Sequence, residues 1–554
     1  MEFEHLTKVL ERLDSVSGRL EMTDIVAQFI VGVPDELLSD VLLFLRGTPF
    51  PPWSDLELGI ADKLMVKALS SVSGLKDGMI TDMMRQKGDM GLVAEEILEE
   101  RPQTTLFTSI LTVEKVRENL DRMATLTGKG SQDRKFTLLT ELLSSATPQD
   151  SRFIVKLVLG QLRIGVGDGV IRDAIAKAYC VEAKDAERAY NLRPDWGVVA
   201  AVAKKRGGEG LAAYGIVLGS PMKVMLAQKA ENLSQIIAEL GEAELEVKYD
   251  GARVQIHKDG EKVELYTRRL ENVTRQFPEI VEEAKANIRA KTAVVEGEIV
   301  AISGVDRRPL PFQNLSRRIK RKYDIKETVE KIPVETNLFD VVYLEGQSKL
   351  SVPFRERRVT LSGIITESER FRLAENLVTS DLKQAERFYK RALLAGHEGV
   401  MVKNLQAPYQ PGSRVGYMYK VKPVMETLDL VVTGATWGEG RRASWLGSYL
   451  LSVQDPETGE FLEIGRMATG LTDKQLAELT DVFRPDIVAQ DGREVSIRPQ
   501  HVFEVAFEEI QASPTYRSGY ALRFPRLVRV REDKGAEEAD TLARVVALAK
   551  GQKG

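Results

Sequence analysis

The stretch Lys248-Tyr249-Asp250-Gly251-Ala252-Arg253 decides how the rest of the sequence is interpreted. Alternating residues predict strands at 245–249 and 252–257, joined as a tight hairpin at Asp250-Gly251. A lysine at a strand end is most often solvated. Held rigidly beside carboxylates and cations, however, it is also what a nucleophilic amine requires, because desolvation or nearby positive charge lowers the pKa of such an amine. These six residues alone leave both interpretations open.

Charged side chains recur on the strands predicted after this stretch. Thr267-Arg268-Arg269 closes the next strand, and guanidinium forks suit phosphate. Glu296 and Glu298 lie within the apolar strand 293–302, where a carboxylate needs a partner or a metal. Together with a helix at 380–395, these strands predict an α+β unit. Further candidate side chains lie on or beside the predicted strands of this unit. They are one aromatic residue and five charged residues: Phe339, Asp340, Glu398, Lys403, Lys420 and Lys422.

The two flanking regions have different patterns. Up to about residue 215, apolar positions recur at helical spacing, as in the face made by Phe3, Leu6, Val9, Leu10 and Leu13. A Gly-Pro break at Leu218-Gly219-Ser220-Pro221 interrupts this pattern. After Pro423, short strands are predicted at 428–433, 448–453, 461–466, 501–507 and 527–530, and a helix at 537–550. This pattern is typical of a small Greek-key barrel such as an OB-fold.

Composition excludes several kinds of site. The 554 residues carry a formal net charge of −4, four histidines and one cysteine. A single cysteine, Cys180, which we expect to be buried in the helical region, cannot build an internal disulfide or a multi-cysteine metal site. Any metal must therefore be held by carboxylates, which favours Mg²⁺ or Mn²⁺. No signal peptide or membrane segment is predicted, so we expect a cytoplasmic protein.

In this order the motifs resemble the covalent nucleotidyltransferase superfamily, most closely the ATP-dependent DNA ligases of the archaeal and eukaryotic replicative type. Lys248–Arg253 matches the nucleophile motif KxDGxR, 398–403 and 420–422 match later strand motifs, and Arg531-Glu532-Asp533-Lys534 matches the C-terminal RxDK motif. Residues 162–169 and 221–227 look like the family's glycine-rich DNA-contacting segment and the lead-in to its catalytic core. The resemblance covers nearly the whole chain.

The resemblance implies a multidomain fold. It comprises an all-α N-terminal DNA-binding domain (1–216), an α+β nucleotidyltransferase (adenylation) domain (217–423) and an all-β C-terminal OB-fold (424–554). It also implies an ATP-dependent DNA ligase that seals nicks in duplex DNA during replication, repair and recombination. We expect a monomer that uses ATP as substrate and Mg²⁺ or Mn²⁺.

The resemblance also implies the roles of individual residues. Lys248 attacks the α-phosphate of ATP and forms a lysyl-AMP phosphoramidate; the AMP then moves to the 5′-phosphate of a nick, and the 3′-hydroxyl displaces it. Glu246 accepts from the adenine amino group and Phe339 stacks on the ring. The remaining assignments are sugar and phosphate contacts for Arg253 and Arg268, ribose or metal for Glu298, Mg²⁺ for Glu398, phosphate oxygens for Arg414 and Lys420 with Lys422 close by, and pyrophosphate orientation for Arg531 and Lys534.

Two short segments allow more than one interpretation. The basic run 317–322 is either a solvated helix face or a DNA contact. Gln103–Phe107 resembles a sliding-clamp docking peptide, but a loop that packs Leu106 and Phe107 inward is favoured.

Other activities are weighed against the DNA ligase. NAD-dependent ligases usually carry a four-cysteine zinc module, which one cysteine cannot supply. An RNA ligase or a capping-type nucleotidyltransferase shares the core motifs, but the long helical region ahead of Lys248 argues against both. A non-catalytic DNA-clamping protein has no physical reason to keep Lys248 with both Glu298 and Glu398.

Overall fold

A computed structural model describes residues 1–551 except 55, 101–109, 231, 320–323, 424–426, 440–441 and 470. Within the described residues the helices are α1 Phe3–Ser15, α2 Arg19–Val31, α3 Leu38–Leu45, α4 Asp62–Ser73, α5 Asp77–Lys87, α6 Met90–Glu99, α7 Val113–Thr125, α8 Ser131–Ser145, α9 Pro148–Val158, α10 Asp168–Ala178, α11 Ala183–Leu192, α12 Trp196–Ala212, α13 Leu233–Leu240, α14 Pro278–Asn287, α15 Phe312–Ile319, α16 Ile325–Lys331, α17 Phe354–Ile364, α18 Leu382–Leu394, α19 Asp473–Phe483 and α20 Leu542–Gly551. The strands are β1 Gln228–Ala230, β2 Ala243–Lys248, β3 Ala252–Asp259, β4 Lys262–Thr267, β5 Thr292–Ala301, β6 Val334–Leu344, β7 Gln347–Ser348, β8 Phe371–Leu373, β9 Asn376–Thr379, β10 Gly399–Asn404, β11 Met418–Val421, β12 Leu428–Trp437, β13 Leu446–Gln454, β14 Phe461–Met467, β15 Ile487–Asp491, β16 Glu494–Ile497, β17 Val502–Ala506, β18 Glu509–Ala512, β19 Tyr520–Arg523 and β20 Arg526–Val530.

The N-terminal region is helical, as predicted. The apolar face proposed for the first segment is the buried face of α1. Helix α9 begins with a capping box, in which Thr147 accepts from the Asp150 amide and Asp150 accepts from the Thr147 amide. One apolar core joins the described helices from α1 to α12. Cys180, in contrast, was predicted incorrectly: it is exposed, because it follows α10 in a left-handed turn (φ 53°) outside this core.

The central region contains two sheets. Among the described residues, one has five strands in the order β1-β11-β10-β2-β9, and the other has six, in the order β4-β3-β5-β6-β7 with β8 beside β6. Strand β3 pairs antiparallel with β4 and with β5, so that Arg253 lies opposite Glu298. An apolar core lies between the second sheet and helices α14, α15 and α17. The α+β prediction is confirmed.

The C-terminal region is mainly β-structure. Strands β12 to β17 and β20 form one sheet, and β18 pairs with β19 in a separate hairpin, within the part of the chain that is described. Its core is built around Tyr449, Phe483 and Phe503, whose rings contact one another, with α19 and α20 packed on the same cluster. All five strands predicted after Pro423 are present.

The chain divides into two compact units. One contains Met1–Lys229, Ile236–Asp381 and Met401–Lys420, and the other contains Ala230–Gln235, Leu382–Val400 and Val421–Gly554. The predicted domain boundaries at 216/217 and 423/424 stay predictions. The suggested clamp-docking segment 103–107 lies outside the described residues. Where the structure is described, every helix is too short or too polar to cross a membrane.

Candidate functional site

Lys248 lies where the chain passes from one central sheet to the other. It is the last residue of β2 and is half-buried, whereas β3, which follows Asp250-Gly251, belongs to the second sheet. The predicted β2–β3 hairpin is therefore wrong. Asp250 Oδ2 accepts from the backbone N–H of Phe312 at 3.0 Å, which fixes the crossing. Gly251 is required by close approach, since a Cβ there would lie 2.2 Å from the carbonyl oxygen of Ile299.

An aromatic ring and a buried carboxylate, Phe339 and Glu246, contact the same lysine, Lys403. Phe339, on β6, lines a cavity together with Arg253 and Lys403. Lys403 Nζ lies 4.7 Å from the Phe339 ring centre and 2.5 Å from Glu246 Oε2. Glu246 is 2% exposed, and its Oε1 accepts no hydrogen bond from any described residue. A buried oxygen without a donor is costly, so Glu246 Oε1 is suited to accept a hydrogen bond from an N–H group of a bound ligand.

Arg253 is anchored by a buried polar network. Its guanidinium donates to Glu296 Oε2 at 2.6 Å and to the carbonyl of Met225 at 2.9 Å. Tyr409 donates its hydroxyl hydrogen to the Glu296 carboxylate, whose two oxygens lie 2.8 and 2.9 Å away. Burial raises the pKa of Tyr409 well above its ordinary value, and Glu296 raises it further, so the phenol stays a donor. The carboxylate that the sequence placed on an apolar strand is thus explained by its ion pair with Arg253.

Arg268 is influenced by the charges of two other arginines and of Glu298. Burial lowers the pKa of Arg268, and the neighbouring charges of Arg253 and Arg414 lower it further, whereas Glu298 acts in the opposite direction. Like charges held near one another in a partly buried place are unfavourable unless an anion joins them. This arrangement is therefore suited to phosphate oxygens. The charges of Arg253, Arg414 and Glu298, all predicted as site residues, thus act on Arg268, and Arg253 lies opposite Glu298 on the neighbouring strand.

Glu398 and Lys422 form a second charged cluster. Lys422 Nζ lies 3.0 Å from Glu398 Oε2 and 3.4 Å from Glu508 Oε2, and Arg523 lies 4.0 Å from Glu398. Gly399 makes this possible: its φ is +137°, and a Cβ would lie 2.2 Å from the carbonyl oxygen of Val421. The backbone carrying Glu398 can therefore approach the strand end that carries Lys422. Lys420 is half-buried on β11.

Arg531 and Lys534 share one carboxylate. Arg531 donates to both oxygens of Asp429, at 3.0 and 2.9 Å, and Lys534 donates to Asp429 Oδ2 at 2.7 Å. Asp429 belongs to β12, so both cations of the C-terminal motif are fixed on the β-region. Hydrogen bonding by Arg531 also holds the pKa of Asp533 well below its usual range.

Part of the basic run 317–322 has a structural role. Arg318 is 1% exposed and donates to the carbonyls of Gln276 and Ile332, and it also contacts Glu279. Arg318 is thus neither solvated nor placed to contact DNA. Arg317 is exposed, and residues 320–322 lie outside the described residues.

Three family models match successive parts of this chain. One described as DNA ligase N terminus matches residues 2–176, one as ATP dependent DNA ligase domain matches 224–422, and one as ATP dependent DNA ligase C terminal region matches 442–534. The DNA ligase of Archaeoglobus fulgidus is 48% identical over 100% of this chain and 99% of its own length. The chain belongs to the ATP-dependent DNA ligase family. The DNA ligase of Thermococcus onnurineus, 46% identical over 99% of this chain and 98% of its own length, agrees.

A solved structure supports the fold of the ligase chain. The protein titled Pmar-Lig_PreS3 has a TM-score of 0.58 at 19% identity, covering 95% of this chain and 99% of that one. The family and the fold confirm the predicted helical, nucleotidyltransferase and all-β regions. Family membership also confirms the prediction of an ATP-dependent DNA ligase, with ATP as substrate and a divalent metal such as Mg²⁺, and it does not favour the alternatives.

Sequence reasoning missed some groups of the ligase site. Lys403 was noted only as part of a motif, yet it pairs with Glu246 and contacts the Phe339 ring. Its position on the buried strand β10 is the signal that could have identified it, since a lysine there needs an anionic partner. Tyr409 gave no such signal, because it lies in a loop more than 100 residues from Glu296.

Proposed function

We propose that this ligase seals nicks in duplex DNA through a lysyl-AMP formed on Lys248. The observation that carries the proposal is the buried acceptor Glu246 Oε1, two residues before Lys248 on the same face of β2. The two side chains would address the two ends of an adenylate, Glu246 the amino group of the base and Lys248 the α-phosphorus.

The reaction follows as three in-line displacements at phosphorus. In the first, Lys248 Nζ forms a bond to the α-phosphorus of ATP, and the bond to the bridging oxygen breaks, releasing pyrophosphate and the lysine proton. In the second, an oxygen of the 5′-phosphate at the nick displaces the lysine. In the third, the 3′-hydroxyl attacks that phosphate and AMP leaves. Such chemistry depends on positioning and on neutralising charge.

The remaining nucleotide contacts follow from the clusters of cations. Phe339 would stack on the adenine, and Arg253 and Arg268 would contact the sugar and phosphates, with Arg414 on phosphate oxygens. Lys420 on β11 would also bind phosphate oxygens, with Lys422 close by just after the strand. Supporting this are the effect of the Arg253 and Arg414 charges on Arg268 and the position of Arg253 on the Phe339 ring, 5.3 Å from its centre.

The residues fit a divalent metal. Mg²⁺ is usually held by one or two protein carboxylates together with substrate phosphates. Among the described residues there is no group of three or more metal-ligating side chains, so a metal held entirely by the protein is not built there. Glu298, beside the arginines, and Glu398 would each offer carboxylate oxygens. When bound, Mg²⁺ would supply charge neutralisation for the phosphates.

Contacts to DNA would be made mainly through phosphates, which gives affinity without reading sequence, as sealing of nicks anywhere requires. The glycine-rich segment 165–169 remains our candidate for such a contact, because backbone amides at glycines can approach a phosphate closely. We further propose that the enzyme acts as a monomer in replication, repair and recombination. Docking on a sliding clamp through Gln103–Phe107 stays a weaker proposal, because a loop that packs Leu106 and Phe107 inward is the favoured interpretation of that sequence.

Intact mass after incubation with ATP and Mg²⁺ tests the proposal. Wild-type protein should gain one AMP, and Lys248→Ala should gain none. Lys262→Ala, which removes an exposed lysine from β4, is the matched control and should gain AMP normally. An adduct in Lys248→Ala, or none in the wild type, would refute the lysyl-AMP. Replacing ATP by GTP, and nicked DNA by nicked RNA, tests the capping and RNA ligase alternatives.

A further inference from the structure

A second carboxylate lies behind the proposed adenine pocket. Glu244 precedes Glu246 by two residues on β2, so both side chains lie on one face of the strand. Each is 2% exposed, and Oε1 of each accepts no hydrogen bond from a described residue. A buried carboxyl needs a compensating partner, because burying it without one is costly.

Arg358 connects Glu244 to the strand that carries the stacking ring. Its Nε lies 3.5 Å from Glu244 Oε1, one terminal nitrogen donates to the carbonyl of Leu338 at 2.9 Å, and the other donates to that of Ala374 at 2.5 Å. Leu338 immediately precedes Phe339. Two hydrogen bonds from its terminal nitrogens fix the orientation of this planar guanidinium, and Nε lies at ion-pair distance from Glu244 without a hydrogen bond between them. The guanidinium is thus a connector between β2 of the first central sheet and β6 of the second.

The neighbouring carboxyl groups of Glu244 and Glu246 lie in different electrostatic surroundings. Burial raises the pKa of Glu244, and the charge of neighbouring Glu246 raises it further, whereas Lys403 and Arg358 lower it. Glu246, in contrast, is paired with a cation, because Lys403 Nζ lies 2.5 Å from its Oε2 and also contacts the Phe339 ring. The Glu244 carboxyl is thus a buried polar group that lies between β2 and the Arg358 guanidinium and holds them apart.

We propose that Glu244 is a positioning residue for nucleotide selection: with Arg358 it fixes the acceptor Glu246 and the ring of Phe339 at the separation that fits adenine. This rests on the proposed function, in which those two residues hold the base. The consequence is specific to binding. Loosening the connector should weaken ATP binding and discrimination against GTP, and leave the chemistry of bound ATP largely intact.

Steady-state sealing of nicked DNA, with ATP and with GTP as the nucleotide, tests the inference. Glu244→Leu keeps the volume but removes the polar contact with Arg358, and we expect it to raise KM for ATP on the order of tenfold, as loss of a supporting group commonly does. Its kcat should stay within about threefold of the wild type, and the preference for ATP over GTP should fall. Glu244→Gln, which keeps a neutral polar group of the same size, should restore KM. Glu242→Leu is the matched control, since it removes an exposed carboxylate two residues earlier.

Arg358→Lys provides a second variant if Glu244→Leu does not fold. It keeps the positive charge but removes the planar guanidinium that donates to two carbonyls, so it should raise KM for ATP in the same way. An unchanged KM in a folded Glu244→Leu or Arg358→Lys protein would overturn the inference. The inference would also be overturned if Glu244→Leu had a lower kcat, a higher KM and a lower melting temperature, and Glu244→Gln showed the same changes. If the wild type itself forms no adduct on Lys248, the proposed function fails; if the wild type forms it and the variants behave like wild type, only the inference fails.

Discussion

Substituting alanine for Gly251 should disable the first chemical step without unfolding the enzyme. The added Cβ would lie 2.2 Å from the carbonyl oxygen of Ile299 and 2.9 Å from Cγ of Glu298, whereas real Cβ contacts essentially never fall under 3.0 Å. The crossing from β2 to β3 must therefore move by at least the 0.8 Å between 2.2 and 3.0 Å, and Lys248 is three residues away. A displacement of about 1 Å in a reacting group costs roughly 100-fold in rate.

The assay is single-turnover adenylation by saturating ATP, followed by intact mass. Gly251→Ala should form the adduct roughly 100-fold more slowly, and overpacking of this kind should cost about 1–3 kcal/mol of stability. Gly363→Ala is the matched control: it lies in α17 with nothing within 4 Å of its added Cβ, so it should adenylate normally and gain about 0.5–1 kcal/mol. Adduct formation by folded Gly251→Ala within threefold of the wild-type rate would refute the reasoning.

Two further predictions concern buried charge. Burial lowers the pKa of His257 to about 3, so its neutral form stabilises the fold above pH 6.5, and stability falls as the pH drops from there towards 3; between pH 7 and pH 5 the loss should be about 2 kcal/mol. Melting temperatures should therefore depend less on pH in this range in His257→Asn, whereas exposed His5→Gln should behave like the wild type. Asp429→Asn removes the anion that holds Arg531 and Lys534, and should slow adenylation by roughly tenfold or more. Sealing of chemically pre-adenylated nicked DNA should be unchanged, and an equal loss in both assays would contradict the assigned role.

The local elements of the central region were predictable because their signals are local. The turn at Asp259-Gly260 joins β3 and β4, and the apolar run at 293–302 located β5. The Asp250-Gly251 pair has the same turn chemistry but does not form a hairpin, because β2 pairs with β9, more than 120 residues away. Which sheet a strand joins is decided by distant partners, and a six-residue pattern does not contain that information.

Missed strands in the C-terminal region have a different cause. Strand β15 is exposed along nearly its whole length, and β16 alternates exposed and buried residues over only four positions. Strands with few apolar residues give little periodic signal. The same reasoning covers the site: Glu246 and Lys248 could be identified from one motif, but Glu296, Arg253 and Tyr409 meet only in the folded chain.

The cations at the site differ in how strongly they are already paired with carboxylates. Glu398 and Asp429 already pair with Lys422 and with Arg531, so a phosphate there must exchange one anion for another, which limits the net gain in binding. Arg268 is different, because burial and the charges of Arg253 and Arg414 make its protonated state less favourable, and the charge of Glu298 offsets this only in part. A phosphate there would act together with Glu298 in relieving the repulsion. Binding energy for the triphosphate should therefore be concentrated at Arg268, and the ion-paired clusters should serve orientation and release.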